Sequence, residues 1–266
     1  MRYLTLLTFV LTVQELFGQI NLRQIEKEVI DEGLYLYRHE RASWKSTDLL
    51  TDSHKQLSTG YFTYEINDTI KSIYFDKEKK LAIVQFHFIK TDSIEIDLIN
   101  TLENKELTSY ETILMNVRNH AHGISSVFYS TFGIPKGINP NIIIKERAND
   151  FYVYSIPGTY LENLIPIGGD YWFTYTKQGK SIKFDLIHRN LIPFEAKGEK
   201  EIKQTAHQHK DKSNKYMTPT DICTLLLNRD YIEWDIHEVV SKTFISTFNL
   251  RTIKLTIEPN SLKRKM

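Results

Sequence analysis

From Ile20 to about Leu36 the apolar residues Leu22, Ile25, Val29 and Tyr37 recur at helical spacing with charged residues between them, which predicts an amphipathic helix that Gly33 ends or bends. From Gly60 the period changes to two. Tyr61 to Ile66, Ile70 to Phe75 and Leu81 to Ile89 alternate aromatic or β-branched residues with polar ones. The turn residues Asn67-Asp68 and Asp76-Lys77-Glu78-Lys79-Lys80 separate them, predicting an antiparallel meander over 60–90. Ser93 to Ile99 is a candidate fourth strand. Thr108 followed by Glu111 is a capping box, and Ile113, Leu114 and Val117 give a helix through about His120 its apolar side.

A Gly-Pro cluster from Phe132 to Pro140 marks the boundary between an N-terminal region, 20–134, and a C-terminal region, 135–266. Beyond it the strand pattern resumes at Asn141 to Arg147, at Asp150 to Ile156, and in a hairpin of Tyr171 to Thr176 with Lys180 to Ile187. Ile167-Gly168-Gly169-Asp170 reads as a turn before that hairpin. The polar, highly charged Ala196 to Lys215 reads as a surface loop or irregular strand. Thr218 to Leu227 reads as a helix, and Val239 to Phe248 followed by Arg251 to Ile257 as a closing hairpin. The expected fold is α+β, with mainly antiparallel sheets and a few helices.

Ahead of all this, Arg2, the apolar run Tyr3 to Val13 and the small Gly18 stand in the order of a secretory signal peptide, residues 1–19. The run is shorter than the roughly 20 residues that span a bilayer, so stable membrane insertion is not expected. The reading places the protein outside the cytoplasm, in a periplasm or the extracellular space. With 34 basic and 33 acidic side chains among 266 residues, no charge imbalance favours a nucleic-acid partner. Cys223 is the single cysteine, so no internal disulfide can form, and its apolar neighbours suggest a buried thiol.

Candidate chemistry lies in Thr205-Ala206-His207-Gln208-His209 and Thr218-Pro219-Thr220-Asp221. In an extended backbone, residues i and i+2 share a face, so His207 and His209 can offer two imidazoles to one metal ion. Asp221, in the first turn of the following helix, can add an oxygen and leave a fourth position for water, as catalytic zinc sites require. His120 and His122 have the same spacing in a helix, where i and i+2 diverge. His188 closes a strand and is either a further ligand or second-layer group, or a hydrogen-bonded structural residue. Without a metal, Thr218-Pro219-Thr220-Asp221 is still a good helix start, with threonine at the N-cap, proline at N1 and an acid in the first turn. The meander aromatics suit core packing better than ligand stacking.

At these residues the chain resembles the JAMM (MPN-type) zinc metalloproteases, whose signature is His-x-His, a short gap and Ser-x-x-Asp, with a glutamate upstream. The resemblance implies His207, His209 and Asp221 as zinc ligands, Thr218 at the serine that stabilises the oxyanion, and Glu146 as the general base that fits the family order best, with Glu162 next; Glu195 is close in sequence but sits past the strand. It implies zinc as cofactor and a peptide or protein substrate. A non-catalytic exported binding or envelope-associated protein is the alternative.

Overall fold

The computed structural model describes the backbone of residues 2–91, 93–161, 163–197, 203–210 and 214–261, and side chains from Leu22 onward. The segment read as a signal peptide lies outside the residues whose side chains are described. The fold is α+β, with mostly antiparallel sheets, as the periodicities predict. Among the described residues, no helix is long and apolar enough to cross a membrane.

The N-terminal sheet is the meander β1 (Ser58–Ile66), β2 (Thr69–Asp76), β3 (Leu81–Lys90) and β4 (Ile96–Glu106), neighbours in chain order. Asn67 and Asp68 both take positive φ, 48° and 60°, giving the two-residue turn that matches the twist of a hairpin. Before this sheet stand α1 (Arg2–Leu49) and the short α2 (Asp52–Leu57). After it comes α3 (Ser109–Thr131), which starts at the expected capping box: Thr108 Oγ1 accepts the Glu111 N–H, and Glu111 accepts the Thr108 N–H. The helix runs past His120 to Thr131 because Ala121, Ser125 and Tyr129 continue its buried side, while Gly123 faces open space.

In the central sheet, β5 (Ile138–Glu146), β6 (Asp150–Thr159), β7 (Leu164–Thr176) and β8 (Ser181–Glu195), the first three strands are buried on both faces and β8 is a largely exposed edge. One face, with Ile142, Ile144, Phe151, Val153, Tyr171, Phe173 and Tyr175, packs on α3 and β1. The other, with Ile143, Tyr154, Ile156, Ile165 and Ile167, packs on α1 and on α4 (Pro219–Asn228). Both clusters therefore join residues from either side of 134/135.

Along β7, odd-numbered residues face the α1 side at 165 and 167 but the α3 side from 171 onward. The change lies at Gly168-Gly169-Asp170, where the register shifts and both glycines take positive φ, 78° and 67°. This segment is thus a bulge inside a longer strand, correcting the turn read from the sequence. Inserted residues reverse the alternation and re-aim the side chains next to them, and Asp170 is one of these.

A third sheet has the order β12 (Lys254–Pro259), β11 (Phe244–Asn249), β10 (Ile236–Val240), β9 (Gln204–Gln208). The segment Val239 to Phe248 is itself folded back, because Ser241 Oγ accepts the N–H groups of Thr243 and Phe244 and turns the chain between β10 and β11. β9 lies within the polar stretch 196–215 and pairs in parallel with β10, the connection running through α4.

Gly33 does not end α1, which runs on to Leu49. A Cβ there would stand 2.6 Å from Ile222 Cβ and 3.2 Å from the Pro219 carbonyl oxygen, so the missing side chain is what lets α1 close on the first turn of α4. Gly33→Ala should push the two helices apart and lower stability by about 1–3 kcal/mol, the usual cost of overpacking a dense core. Thermal melting checks this, and Gly33→Ala/Ile222→Ala should lose less than the sum of the two single variants, because trimming the buried Ile222 makes room for the new methyl. An unchanged melting temperature in the single variant would show that the contact yields without strain.

Candidate metal centre

β9 carries His207 on its inner side, and the backbone stays extended one step further, where the His209 N–H donates to the Val240 carbonyl at 3.0 Å. The two imidazoles consequently share a face, with Nε2 atoms 3.0 Å apart. Although the surrounding sequence is polar, His207 and His209 are both buried. α4 supplies Asp221 from its first turn. The capping box fixes this carboxylate: Thr218 N–H and Thr218 Oγ1 reach Asp221 Oδ2 at 2.8 and 2.9 Å, and Thr218 Oγ1 accepts the Asp221 N–H. The helix-start and metal-ligand readings of this segment are therefore compatible, since one oxygen holds the cap and the other stays available. Asp221 Oδ1 is buried and has no hydrogen-bond partner among the described residues.

β8 adds His188, whose Nε2 lies 2.9 Å from His209 Nε2. The closest approaches of His188, His207 and His209 to Asp221 carboxylate oxygens are 4.0, 3.8 and 3.7 Å. One ligand atom from each of these four residues lies within 4.8 Å of the others, a group that could hold a metal ion. Four donors placed about 2.0–2.1 Å from one ion at tetrahedral angles would stand roughly 3.3 Å from one another. The observed separations of 2.9 to 4.0 Å bracket that value, so small side-chain rotations suffice. The ligand set is one histidine larger than the spacing in the sequence indicates.

Behind the group is a second layer. His188 Nδ1 lies 2.7 Å from Asp170 Oδ1, and Asp170 is brought there by the β7 bulge. His207 Nδ1 lies 2.8 Å from Nε2 of His237, whose Nδ1 is 2.7 Å from Thr205 Oγ1. If His207 Nε2 faces an ion, its Nδ1–H donates to His237, and His237 in turn donates to Thr205. Such partners fix the tautomer and orientation of a ligating imidazole. Asp170 and His237 are almost fully buried. The sequence signal for each was a polar residue within an apolar strand, Asp170 after Ile165 to Ile167 and His237 in Ile236 to Val240.

The electrostatics suit a cation. Burial lowers the His207 pKa, takes His209 to about 4 and takes His237 to about 3, so at neutral pH these rings are neutral, leaving His207 and His209 with lone pairs to offer and His237 able to accept from His207. For Asp221, burial pushes the pKa up, but His188, His207, His209 and the Thr218 N–H outweigh it and hold the carboxyl well below its usual range. A buried carboxylate beside neutral imidazoles requires a counter-charge, and in protein interiors that role falls to a paired base or a metal. The donor set, three imidazoles and a carboxylate, is of the type that binds zinc.

Other expected residues lie elsewhere. Glu146 ends β5, where it accepts a 2.5 Å hydrogen bond from Tyr110 and pairs with Lys177. It lines a different cavity, with Tyr35, Tyr64 and Glu65. Glu146 is level with Phe151 and hence with Tyr175, whereas His188 is level with Asp170, five residues back along β7. At about 3.3 Å per residue the two positions are some 16 Å apart along the strands. A base at Glu146 is thus corrected by geometry: the order of segments suited it, but it sits at the wrong end of its sheet. Glu195 ends β8, seven residues beyond His188, and Glu162 lies outside the described residues. The Thr218 hydroxyl is committed to Asp221 and to Thr220 Oγ1, 2.9 Å away, which makes it an orienting group for the carboxylate.

The three histidines open onto a cavity of about 400 Å³, walled also by Ile167, Gly168, Ile187 and residues 189–192 on one side and by Gln208, Lys210 and Asn214 on the other. No protein-family model matches this chain, no curated protein matches it, and no solved structure matches it.

Proposed function

We propose that this chain is an exported zinc-dependent hydrolase acting on a peptide or isopeptide-like carbonyl at the inner end of this cavity. The observation that carries the reading is the convergence of His188, His207, His209 and the buried Asp221 carboxylate beside a space of ligand size. A divalent ion held there supplies Lewis-acid polarisation of a carbonyl and acidifies a water. The chain's own part is to hold the ligands fixed: Asp170 orients His188, His237 orients His207, and Thr218 orients Asp221. The resemblance to JAMM-type proteases agrees with this reading in three ligands and departs from it in His188 and in the base.

A second reading is favoured by His188. It completes four protein ligands, the number found in closed structural zinc sites, and among the described residues no carboxylate lines the cavity wall. The protein would then be a non-catalytic exported binding protein stabilised by its metal. Zinc content together with hydrolysis of a peptide library decides between them. Zinc with activity that Asp221→Ala abolishes supports the hydrolase, zinc without activity supports the structural centre, and absence of zinc defeats both.

Export is part of the proposal and rests on Arg2, the run Tyr3 to Val13 and Gly18. N-terminal sequencing of protein recovered from its native host should give a start at residue 19 or 20. An intact Met1 on the exported form would refute it.

A further inference from the structure

One edge of the central sheet is open over part of its length. β8 pairs with β7 on one side, and among the described residues no strand pairs with it on the other. Further along, that outer side is occupied, since Asn214 Nδ2 donates to the Ile187 carbonyl. Residues 181–186 are all exposed. Within them Lys183 to Leu186 run regularly, between register shifts against β7 at Ile182 and Ile187, and include no proline. Phe184 and Leu186 stand opposite Phe173 and Tyr171, on the α3 side of the sheet, while Lys183 and Asp185 stand opposite Thr174 and Trp172 on the other face. The apolar row is only partly covered. Phe184 stays 48% exposed although its ring centroid lies 5.1 Å from that of Phe128 on α3, and Ile182 and Leu186 are 59% and 39% exposed. An open edge with apolar side chains along it is a template for a further strand.

We infer that β8 pairs with β8 of a second copy of this chain, antiparallel about a two-fold axis through Phe184, joining the two four-stranded central sheets into one. The charges on the edge select both the partner and the register. Pairing about Phe184 sets Lys183 of each copy directly across from Asp185 of the other, twice by symmetry, and opposite charges so placed stabilise a sheet. On the other face it brings Phe184 against its own counterpart and Ile182 against Leu186, so the apolar side chains of both copies form one row between the two α3 helices. Within a single chain Lys183 and Asp185 meet only along the strand, 3.3 Å apart and about half exposed. A two-fold axis one residue further on would place Asp185 against Asp185, and like charges directly opposite are destabilising. The inference uses none of the histidine group and stands apart from the hydrolase reading.

Sedimentation velocity on the full chain tests it. The paired stretch is short, so a monomer–dimer equilibrium in the micromolar range is expected, and no larger species, because an isologous contact closes on itself. Lys183→Asp sets carboxylate against carboxylate at both pairs and should weaken dimerisation by about tenfold or more. Asp185→Lys should do the same with ammonium groups. The exchange Lys183→Asp/Asp185→Lys restores opposite charges across the axis in reversed order and should return the dissociation constant close to the native value. The two side chains are 56% and 53% exposed, so all three variants should fold. A chain that stays monomeric through the micromolar range overturns the inference, as does growth beyond the dimer. A dimer indifferent to both single reversals overturns it too, because the contact would lie elsewhere. So does an exchange variant that stays dissociated, since the charges would then act through something other than this register.

Discussion

Metal-free protein titrated with zinc is expected to take up about one ion per chain and to gain stability in proportion. At free zinc a hundredfold above the dissociation constant the gain is about 2.7 kcal/mol, which for a chain of this size raises the melting temperature by roughly 5–10 °C. His207→Ala, His209→Ala and Asp221→Ala should each abolish both the uptake and the shift. His188→Ala is the sharper test. A centre built on His207, His209 and Asp221 alone would keep its ion in that variant, whereas the four-residue group described above should lose most of its affinity. Asp170→Asn keeps the shape of the residue behind His188 but weakens its acceptor, and should cost about 10–100-fold in affinity, the usual effect of disturbing a ligand's outer partner. Zinc retained by His207→Ala/His209→Ala would show that the ligands have been misassigned, whatever the melting data.

What could be read of this centre from the sequence followed from how local each relation is. His207 and His209 are two residues apart, so one assumption, extended backbone, places them together. Thr218 and Asp221 are linked by a capping rule that operates within a single turn. His188, Asp170 and His237 reach the site only through tertiary pairing: His188 across β7 to Asp170, and His237 through the parallel alignment of β9 with β10. Parallel pairing leaves no turn signal, because its partners are joined by a crossover rather than a hairpin. The Gly168-Gly169 pair was visible as punctuation, but whether glycines end a strand or bulge it depends on what the neighbouring strand does. Gly33 is similar: helix propensity counts it as a weak point, while its role is set by Ile222, far away in sequence. By contrast β1–β3 of the meander were legible, since sequential strands joined by short turns carry both their period and their connections in the local pattern, whereas the candidate fourth strand at 93–99 covers only the start of β4, whose mostly exposed residues carry no alternation.

The second large effect concerns Glu40, a buried acid remote in character from the metal group. It lies on α1 at 2% exposure, and its Oε1 accepts hydrogen bonds from Trp44 Nε1 at 2.9 Å and Asn141 Nδ2 at 2.6 Å. Among the described residues no cation pairs with it. Burial raises its pKa to about 7, and the Trp44 hydrogen bond offsets only part of that. In the unfolded chain the same carboxyl titrates near 4.5. Between these values the folded protein holds a proton that the unfolded chain has released, so stability is highest below about pH 4.5 as far as this group is concerned. It falls as pH rises toward 7 and levels off above that. The difference between the two pKa values corresponds to about 3 kcal/mol, an order-of-magnitude figure. Glu40→Gln keeps an acceptor oxygen for Trp44 and Asn141 and removes the ionisation. Urea midpoints measured from pH 4.5 to 8 should therefore show the variant near the native protein at the acid end and more stable by about 2–3 kcal/mol at pH 8. Half-buried histidines such as His122, lowered to about 4 by desolvation, cost stability as pH falls below about 6.5. They do so equally in both proteins, so the difference curve isolates Glu40. A flat difference would mean that water or a small movement keeps the carboxylate solvated, and a variant less stable at pH 8 would mean that its charge is compensated by the surrounding dipoles.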